Sequence, residues 1–307
     1  MVTGGAGFIG SEFVRLLCQR QEMPYTKLHI LDLLTYAGDI RRLENCLTNK
    51  NVFFHRGDIC DRNLVDSLMS EVSAVVHFAA ESHVDRSIDE PDVFVRTNVL
   101  GTHNLMNSAL QAGVRFILVS TDEVYGSTLS GSFDEDSLIN PSSPYSATKA
   151  AAELIALSLH KTHGLDLCIT RAANNFGKYQ NREKLIPLVI SKLQNKQKVP
   201  IYGDGSNVRN WLHITDHCEA ILMVLNDGMP GQIYNIGSEE SYTNNELVLM
   251  ILSEMGLDKS YIEYVSDRNA HDFRYSINSN KILNHLGWFP KFTLRDSLGD
   301  LVRENIF

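Results

Sequence analysis

A glycine-rich segment near the start of the chain, TGGAGFIG (Thr3 to Gly10), limits the possible folds more than any other feature of the sequence. Gly5, Gly7 and Gly10 match the pattern G-x-G-x-x-G, and a sequence with helical periodicity, SEFVRLLCQR, follows them directly. Glycines at this spacing permit a tight turn between a strand and a helix, and they let the backbone approach a pyrophosphate at the helix N-terminus. The segment therefore predicts a dinucleotide-binding turn.

An acidic residue, Asp32, ends the apolar segment LHILD at the distance from the glycine turn that dinucleotide-binding folds use. A carboxylate at that position accepts a hydrogen bond from a ribose 2′-hydroxyl and repels a 2′-phosphate. Neither arginine nor lysine follows Asp32 directly. We therefore predict that the cofactor is NAD rather than NADP.

Short apolar segments alternate with helical segments through the first half of the chain. β-Branched and aromatic residues fill the apolar segments, as is typical of strands covered on both faces, and these segments lie at 27–32, 51–55, 74–80, 114–120 and 167–173. The clearest helical segment has Ser143 as N-cap, Pro144 in its first turn and Gly164 at its end. This alternation predicts an α/β protein with a Rossmann-type doubly wound parallel sheet.

The pattern changes after Ala173, where loops rich in Asn, Gly and Lys separate more dispersed helical segments. The segment YNIG, residues 234–237, is predicted to return to the first sheet as a further strand. We therefore predict a cofactor-binding Rossmann domain of residues 1–173 with about 209–237. Residues 174–208 and 238–307 are predicted to form a smaller, mainly C-terminal substrate-binding domain.

Charge and cysteine content argue against several classes of function. The net charge of -9 argues against a nucleic-acid-binding surface and against attraction to anionic membranes. The five cysteines include no C-x-x-C pair, so neither a zinc site nor a disulfide framework is predicted. No apolar segment approaches the roughly 20 residues of a membrane span, and the N-terminus does not resemble a signal peptide. We expect a cytoplasmic protein without a bound metal.

We interpret the histidines of two segments as structural residues rather than metal ligands. His213 and His217 are spaced i, i+4 in HITDH, which can bind a metal on a helix, but no third ligand is apparent. Thr215 or Asp216 is expected to cap that helix. His77, within AVVHFAA, is expected to be a packed core residue.

Tyr145 and Lys149, in YSATK, lie at positions i and i+4 of the predicted helix and therefore share one face. A nearby ammonium favours the phenolate and lowers the pKa of a phenol, which makes Tyr145 a base for a sugar or alcohol hydroxyl. Thr121 ends the preceding predicted strand, and the carboxyl end of such a strand lies beside the cofactor. Directly after it, Asp122 and Glu123 form a doublet of adjacent carboxylates.

Several motifs together resemble the extended short-chain dehydrogenase/reductase family, and within it the nucleotide-sugar 4,6-dehydratases, those acting on dTDP-glucose above all. The motifs are TGGAGFIG, Asp32, GDI (57–59), FAAESHVDRS, STDEVYG, YSATK, NNFG, EKLIPL, YGDGSNVRNWLHITDH and DRNAHDFRY. The resemblance runs from Thr3 to about Trp288. AAESHVDRS and STDEVYG are specific to this branch, whereas the glycine turn and Y-x-x-x-K are shared with the superfamily.

The resemblance implies a reaction in stages on a nucleotide-diphosphate hexose, with dTDP-glucose favoured. Tyr145 takes the proton of the C4 hydroxyl while hydride moves from C4 to NAD, and Thr121 hydrogen-bonds the C4 oxygen. Glu123 then removes the C5 proton, and Asp122 protonates the leaving C6 hydroxyl. Hydride returns to C6 and a proton to C5, which gives a 4-keto-6-deoxy sugar and regenerates NAD.

The resemblance also implies binding residues, each carried over from a position that matches a family motif. The implied NAD contacts are Gly4, Gly7, Phe8, Ile9, Gly10, Asp32, Leu33, Leu34, Thr35, Asp58, Ile59, Ala79, Ala80, Glu81, Ser82, Thr97, Tyr145, Lys149 and Asn175. The implied contacts with the nucleotide sugar are His83, Thr121, Asn174, Lys184, Leu185, Pro200, Ile201, Tyr202, Arg209, Asn244, Arg268 and His271. Arg209 and Arg268 carry guanidinium groups, which pair with a pyrophosphate in bidentate fashion.

Three alternatives stay open at the level of the sequence. The same reaction could act on a UDP-, CDP- or GDP-hexose, because Leu33 and the pair Asn269-Ala270 depart from the residues usual in the family. A nucleotide-sugar 4-epimerase uses the same tyrosine, lysine and NAD but needs no acid/base pair at C5 and C6. A non-catalytic NAD-sensing protein would be expected to lack one of the catalytic groups, and all of them are present.

A homodimer is expected from the family resemblance. Residues 92–113 and 147–161 form helical segments with apolar positions beyond one core-facing stripe. A second apolar face of this kind packs either against a partner subunit or inside the monomer, and the sequence leaves both possibilities open.

Overall fold

The computed structural model describes residues 1–20, 25–267 and 271–304. Its strands are β1 (Val2–Thr3), β2 (Leu28–Asp32), β3 (Val52–Arg56), β4 (Ala74–His77), β5 (Arg115–Thr121), β6 (Leu167–Ala172), β7 (Asn174–Phe176), β8 (Val199–Tyr202), β9 (Val208–His213), β10 (Ile233–Ile236), β11 (Ser241–Thr243) and β12 (Ile262–Val265). Its α-helices are α1 (Phe8–Gln19), α2 (Arg62–Met69), α3 (Val84–Asp89), α4 (Pro91–Phe94), α5 (Thr102–Ala112), α6 (Pro144–His163), α7 (Leu185–Gln194), α8 (Ile214–Asp227), α9 (Asn244–Glu254), α10 (Asn280–Leu286) and α11 (Leu294–Glu304). A π-helical segment, Val95–Gly101, joins α4 to α5, and a 3-10 turn, Asp122–Tyr125, follows β5 directly.

Seven strands form one parallel sheet in the order β3-β2-β1-β4-β5-β6-β10. The strand order reverses between β1 and β4, and in doubly wound sheets such a switch point opens a crevice at the carboxyl ends of the strands. The glycine turn follows β1 and the Asp122–Tyr125 turn follows β5, so both lie at this edge. The structure confirms the predicted Rossmann-type sheet, and the predicted returning segment 234–237 forms its last strand as Ile233–Ile236.

Helices cover both faces of the central sheet. One apolar cluster packs α1 and α8 on the face that includes Ile117, and a second packs α2, α5 and α6 on the face that includes Phe116. Phe116 and Ile117 are neighbours on β5 and both are fully buried. Because successive side chains of a strand point to opposite faces, burial of both faces explains why the strand segments are apolar at consecutive positions.

Local signals fix the bounds of α6, which carries the predicted catalytic tyrosine and lysine. The Ser143 hydroxyl accepts a hydrogen bond from the Ser146 backbone N–H, and the Ser146 hydroxyl accepts one from the Ser143 N–H, which forms a capping box. Pro144 occupies the first helical position, where its missing N–H costs nothing. Gly164 ends the helix in the left-handed conformation with φ 74°. The predicted bounds are confirmed.

A second lobe is built on two small sheets, β11-β9-β7 and β12-β8. Its own apolar cluster packs α7, α9 and α11 around residues that include Phe176, Ile190 and Ile251. β9 pairs with β7 and β11 in this lobe, whereas α8 and β10, which follow β9 in the chain, pack on the central sheet. The chain therefore passes between the lobes more than once. As a result, β7 and β9 lie beside the crevice at the carboxyl ends of the central strands.

Candidate active site

The glycine turn is shaped by close backbone contacts. Gly4 has φ +68°, and a Cβ there would lie 2.5 Å from the backbone nitrogen of Ala79. A Cβ at Gly10 would collide with the Gly4 carbonyl. Gly7 is the N-cap of α1 and provides no side-chain cap for the first N–H groups of the helix, which have no intrahelical acceptors. These groups line a cavity at a helix N-terminus, an arrangement that fits a pyrophosphate.

Asp32 is held in place at the end of β2 by two backbone donors. Its carboxylate accepts hydrogen bonds from the N–H of Ala6 and the N–H of Leu34, each at 2.8 Å. Burial raises the pKa of Asp32, and the two backbone donors oppose that shift. Each carboxylate oxygen keeps a further lone pair, so the group can still accept a hydrogen bond from a ribose hydroxyl.

The predicted NAD contacts near Asp32 surround the same part of the crevice. One cavity is lined by Gly4, Gly7, Asp32, Leu33, Thr35, Asp58, Ile59, Ala79, Ala80, Glu81 and Thr97. Leu34 does not line it; instead this residue adopts φ 58° and donates its N–H to Asp32. The structure therefore brings the predicted residues of this end together, with Leu34 shaping the loop rather than facing the cavity.

Tyr145 and Lys149 lie on one face of α6 and line the adjoining cavity beside the glycine turn. The Lys149 ammonium donates a hydrogen bond to the Val119 carbonyl at 2.8 Å. Burial lowers the pKa of Lys149 to about 8, while the negative charge of Glu153 raises it. The net shift of the Tyr145 pKa is upward rather than the downward shift expected from a nearby ammonium. Burial and the charge of Glu123 raise the pKa of Tyr145 above its ordinary value, and the hydrogen bond with Thr121 opposes them.

The carboxylate doublet occupies the 3-10 turn that follows β5. The Thr121 hydroxyl accepts the Glu123 backbone N–H at 3.3 Å and donates to Asp122 Oδ1 at 3.3 Å, which fixes the start of the turn. Asp122 is 3% exposed, and its Oδ2 has no hydrogen-bond partner among the described residues. Burial, and next the charge of Glu123, raises the pKa of Asp122 to about 8. Glu123 is half-buried, so the two neighbouring carboxyl groups occupy different environments.

The predicted substrate contacts of the described residues line a cavity between the two lobes, except Thr121, which lines the cavity that holds Tyr145 and Lys149. The cavity between the lobes is lined by His83, Glu123, Asn174, Asn175, Lys184, Leu185, Pro200, Ile201, Tyr202, Arg209, Asn244 and His271. The Arg209 guanidinium lies 4.5 Å from the centre of the Tyr275 ring and donates to the Asp272 carbonyl at 3.0 Å. Arg268 lies outside the described residues.

The three cavities form one continuous cleft. Gly4, Gly7 and Ala80 line both cavities of the predicted NAD site, whereas Glu123 and Asn174 line both the catalytic cavity and the cavity between the lobes. The predicted catalytic groups therefore lie where an elongated cofactor and an elongated nucleotide sugar would meet end to end. Ser82 lines the catalytic cavity, and its carbonyl accepts a hydrogen bond from the Lys184 ammonium at 3.2 Å.

Three polar residues of the cleft were missed from the sequence. Gln180 lines both the catalytic cavity and the cavity between the lobes, and it donates to the Asn175 carbonyl at 2.8 Å. Tyr275 lines the cavity between the lobes, and its hydroxyl donates to Asp272 at 2.6 Å. His217 lines the catalytic cavity and hydrogen-bonds Asn175 Oδ1 at 2.8 Å. Gln180 lies between two predicted contact segments, a signal that could have identified it.

The other histidine interpretations have mixed outcomes. His213, rather than Thr215 or Asp216, caps α8, because its ring nitrogen accepts the Thr215 backbone N–H at 3.3 Å. His77 is buried in the core and hydrogen-bonds the hydroxyls of Thr3 and Thr102 at 2.7 and 2.8 Å. Within residues 1–20, 25–267 and 271–304, no cluster of His, Cys, Asp or Glu could hold a metal ion. In the same ranges no helix is long and apolar enough to cross a membrane.

Comparison with known proteins identifies the family. Residues 1–301 match the model of a family described as GDP-mannose 4,6 dehydratase. A dTDP-glucose 4,6-dehydratase of Streptomyces niveus is 48% identical over 306 residues, which cover 98% of this chain and 91% of that protein. The crystal structure of DesIV, a dTDP-glucose 4,6-dehydratase from Streptomyces venezuelae with NAD and TYD bound, is 48% identical with a TM-score of 0.96, and the match covers 98% of this chain and 95% of that one.

A more distant structure shares the fold. The UDP-glucose 4-epimerase of Thermus thermophilus, in complex with NAD, is 27% identical with a TM-score of 0.90, and the match covers 99% of this chain and 97% of that one. Epimerases and dehydratases therefore share this architecture. The family match and the two closer relatives confirm the resemblance to nucleotide-sugar 4,6-dehydratases. The chain belongs to the GDP-mannose 4,6 dehydratase family.

Proposed function

We propose that this chain is an NAD-dependent dehydratase that converts dTDP-glucose into dTDP-4-keto-6-deoxy-glucose. The Asp122–Glu123 doublet carries the proposal, because it lines the same cavity as Tyr145 and provides two carboxyl groups in different environments. An epimerase needs only the tyrosine, the lysine and NAD, whereas an elimination needs both an acid and a base. Identity of 48% to dTDP-glucose 4,6-dehydratases supports both the reaction and the choice of nucleotide sugar.

Cofactor binding is assigned to the part of the cleft between the glycine turn and Asp32. The uncapped helix N-terminus would hold the pyrophosphate, and the Asp32 carboxylate would accept a ribose hydroxyl. The DesIV structure contains NAD, which supports this assignment. NAD, when bound, supplies the site that accepts hydride from C4 and returns it to C6.

Oxidation at C4 depends on Tyr145, which takes the proton of the C4 hydroxyl. Because the pKa of the buried phenol is raised, the phenolate needs positive charge close by. The Lys149 ammonium supplies that charge from the next turn of α6. Thr121 hydrogen-bonds the C4 oxygen and fixes its distance from Tyr145. The resulting 4-ketone makes the hydrogen at C5 acidic.

Elimination divides the doublet into two roles. Glu123 removes the proton from C5, and Asp122 protonates the C6 hydroxyl, which leaves as water. The raised pKa keeps Asp122 protonated near neutral pH, which suits a group that donates a proton. Glu123 exchanges its proton with solvent and then delivers a proton to C5. Tyr145 then releases the proton it gained to solvent, and Asp122 regains a proton from solvent. The net change in the sugar is the loss of one water.

The test is incubation of the protein with a panel of nucleotide sugars. The proposal predicts a 4-keto-6-deoxy product, detected by its absorbance in alkali, with the highest kcat/KM for dTDP-glucose. Turnover of UDP-, CDP- or GDP-hexoses in preference to dTDP-glucose would keep the reaction and change the substrate. Formation of a C4 epimer, or no product from any of them, would contradict the proposed activity.

Protonation of Asp122 gives a pH-dependent prediction. Its pKa is raised from 3.8 to about 8, so the stability that the neutral carboxyl contributes is complete below about pH 4 and is lost as pH rises towards 8. An Asp122→Asn variant has no group to ionise. We therefore expect the Tm of the wild type to fall relative to Asp122→Asn between pH 5 and 8, and the two curves to become parallel above about 8. Parallel curves throughout would mean that Asp122 is already ionised at pH 5 and would contradict its role as the acid.

We also propose a homodimer, in which neighbouring helices of two subunits pack together. Leu100, in the π-helical segment, and Leu154, on α6, are each 58% exposed, and these two elements pack side by side. A Leu100→Glu, Leu154→Glu variant is expected to be monomeric at micromolar concentration, as measured by light scattering. Leu129→Glu, at a loop position that is 83% exposed, is the control and should stay dimeric. A monomeric wild type would contradict this proposal.

The remaining proposals concern the ligand that each lobe binds and the cellular location of the protein. We propose that residues 1–173 with about 209–237 bind NAD, and that residues 174–208 and 238–307 bind the nucleotide sugar. The separate apolar cluster around Phe176 and Ile251 supports a second lobe. A cytoplasmic location is proposed because all five cysteines are free thiols, which is typical of a reducing compartment.

A further inference from the structure

A buried ion pair lies directly behind the catalytic groups. Tyr145, Lys149 and Glu153 are spaced four residues apart on α6, so they follow one another along a single face. The Glu153 carboxylate accepts hydrogen bonds from Arg171 Nη2 at 2.6 Å and from Arg171 Nε at 3.0 Å. Glu153 is 0% exposed and Arg171 is 2% exposed. The reaction described above uses neither residue.

Arg171 also contacts the turn that carries the carboxylate doublet. It lies on β6 opposite Ser120 of β5, beside the strand end from which the turn begins. Its guanidinium carbon lies 4.6 Å from the centre of the Tyr125 ring, and Tyr125 is the last residue of the 3-10 turn. The Tyr125 hydroxyl donates to Asn235 Oδ1 at 2.8 Å, which holds the ring against the next strand. One guanidinium therefore touches both catalytic elements.

We propose that the Glu153–Arg171 pair is a positioning unit that holds the Asp122–Glu123 turn in a fixed relation to Tyr145 and Lys149. The inference rests on the proposed dehydratase function. Stability alone is a weak explanation for such a pair, because apolar residues of similar volume often replace a buried ion pair without loss of stability. The pair instead joins the helix of Tyr145 and Lys149 to the turn of the carboxylate doublet. It thereby sets the distances on which each proton transfer depends.

Glu153 has a second role that follows from its place one turn beyond Lys149. Tyr145 and Glu153 lie one turn before and one turn after Lys149 on α6. The ammonium donates a hydrogen bond to the carbonyl of Val119, on β5. His77, on β4, is the imidazole whose pKa is lowered by burial and by the charge of Lys149. Burial lowers the pKa of His77 to about 3, so that imidazole is neutral. Besides burial, the charges of Glu123 and Asp122 raise the pKa of Tyr145, and Arg171 reaches Glu153 from β6. The charge of Glu153 is therefore the main influence that keeps the Lys149 ammonium protonated against the effect of burial.

The test compares Glu153→Gln, Arg171→Lys and the apolar double variant Glu153→Leu, Arg171→Met. The double variant removes both charges together, so it avoids the unpaired buried guanidinium that could unfold Glu153→Gln. We expect kcat to fall by about 10- to 100-fold with KM nearly unchanged, because most of the predicted nucleotide contacts lie in the other lobe. Arg171→Lys keeps the charge of Glu153 but loses one of the two hydrogen bonds between the side chains. It should therefore lower kcat without changing the pKa of Lys149.

The rate of NADH appearance in the first turnover gives the decisive pH profile, since C4 oxidation precedes the step that uses Asp122. In Glu153→Gln and in the double variant, the alkaline limb set by Lys149 should move to lower pH, whereas Arg171→Lys should leave it in place. The matched control is Arg115→Met with Asp166→Leu, a pair at the opposite end of β5 that should not move the limb. A double variant with wild-type kcat and an unmoved limb would overturn the inference.

A readout without turnover separates this inference from the proposed function. The pKa of Lys149 can be followed by NMR of the protein labelled with 13Cε-lysine, with Lys149→Met to assign the signal. The inference predicts a lower pKa in Glu153→Gln and in the double variant. An unchanged pKa overturns the charge role even if the wild type proves inactive on every nucleotide sugar, which would be a failure of the proposed function.

Discussion

A Glu123→Gln variant is expected to oxidise dTDP-glucose at C4 and then stop. Glutamine keeps the size of the side chain but cannot accept the C5 proton, so elimination loses its base. Tyr145 and Lys149 are unchanged, and oxidation can therefore proceed. We expect kcat for the 4-keto-6-deoxy product to fall by about 10²- to 10⁴-fold. NADH absorbance should accumulate to about one equivalent per active site and persist.

The comparison variant for this result is Glu71→Gln, which alters a half-exposed carboxylate that precedes β4 at the amino edge of the sheet. It should turn over like the wild type. If Glu123→Gln formed product at the normal rate, the base at C5 would be another group. If it failed to form NADH, Glu123 would act before elimination, and the division of roles within the doublet would need to be redrawn.

A Tyr145→Phe variant is expected to lose the reaction at its first step. Phenylalanine fills the same space on α6 but has no oxygen to take the C4 proton, so the hydrogen at C4 cannot leave as hydride. We expect kcat to fall by about 10²- to 10⁴-fold with no NADH absorbance. Binding of dTDP-glucose, measured by calorimetry, should change little because the predicted nucleotide contacts lie in the other lobe.

Tyr264→Phe is the matched control, since that ring is 58% exposed on β12 and lies away from the catalytic cavity. The two catalytic variants should differ in one decisive respect: Glu123→Gln accumulates NADH and Tyr145→Phe does not. Accumulation of NADH in Tyr145→Phe would show that a different group removes the C4 proton. Equal loss of substrate binding in both would instead indicate a disturbed cleft.

Much of the fold could be predicted because strand and helix signals are local. The bounds of α6 follow from Ser143, Pro144 and Gly164, each of which acts on the backbone next to it. Strands buried on both faces leave apolar runs that mark their positions. The glycine turn and Asp32 could likewise be placed together, because β1 and β2 are adjacent parallel strands whose carboxyl ends lie at one edge.

Other features depend on contacts between distant segments and leave no local signal. The pairing of β9 with β7 and β11 joins strands that lie far apart in the sequence. The raised pKa of Tyr145 is a result of burial in the cleft, which the i, i+4 spacing of Tyr145 and Lys149 does not reveal. The salt bridge between Glu153 and Arg171 forms across two elements, so neither residue stands out in the sequence.

The fate of the C4 hydrogen tests the central claim most directly. dTDP-glucose carrying deuterium at C4 should give a product with that deuterium at C6 of the same molecule, because one site both removes the hydride and returns it. In deuterated water, unlabelled substrate should gain one deuterium at C5, delivered by the doublet. Mass spectrometry and NMR of the product measure both. Deuterium retained at C4 of an epimerised sugar, or absent from C6, would contradict the proposed dehydratase.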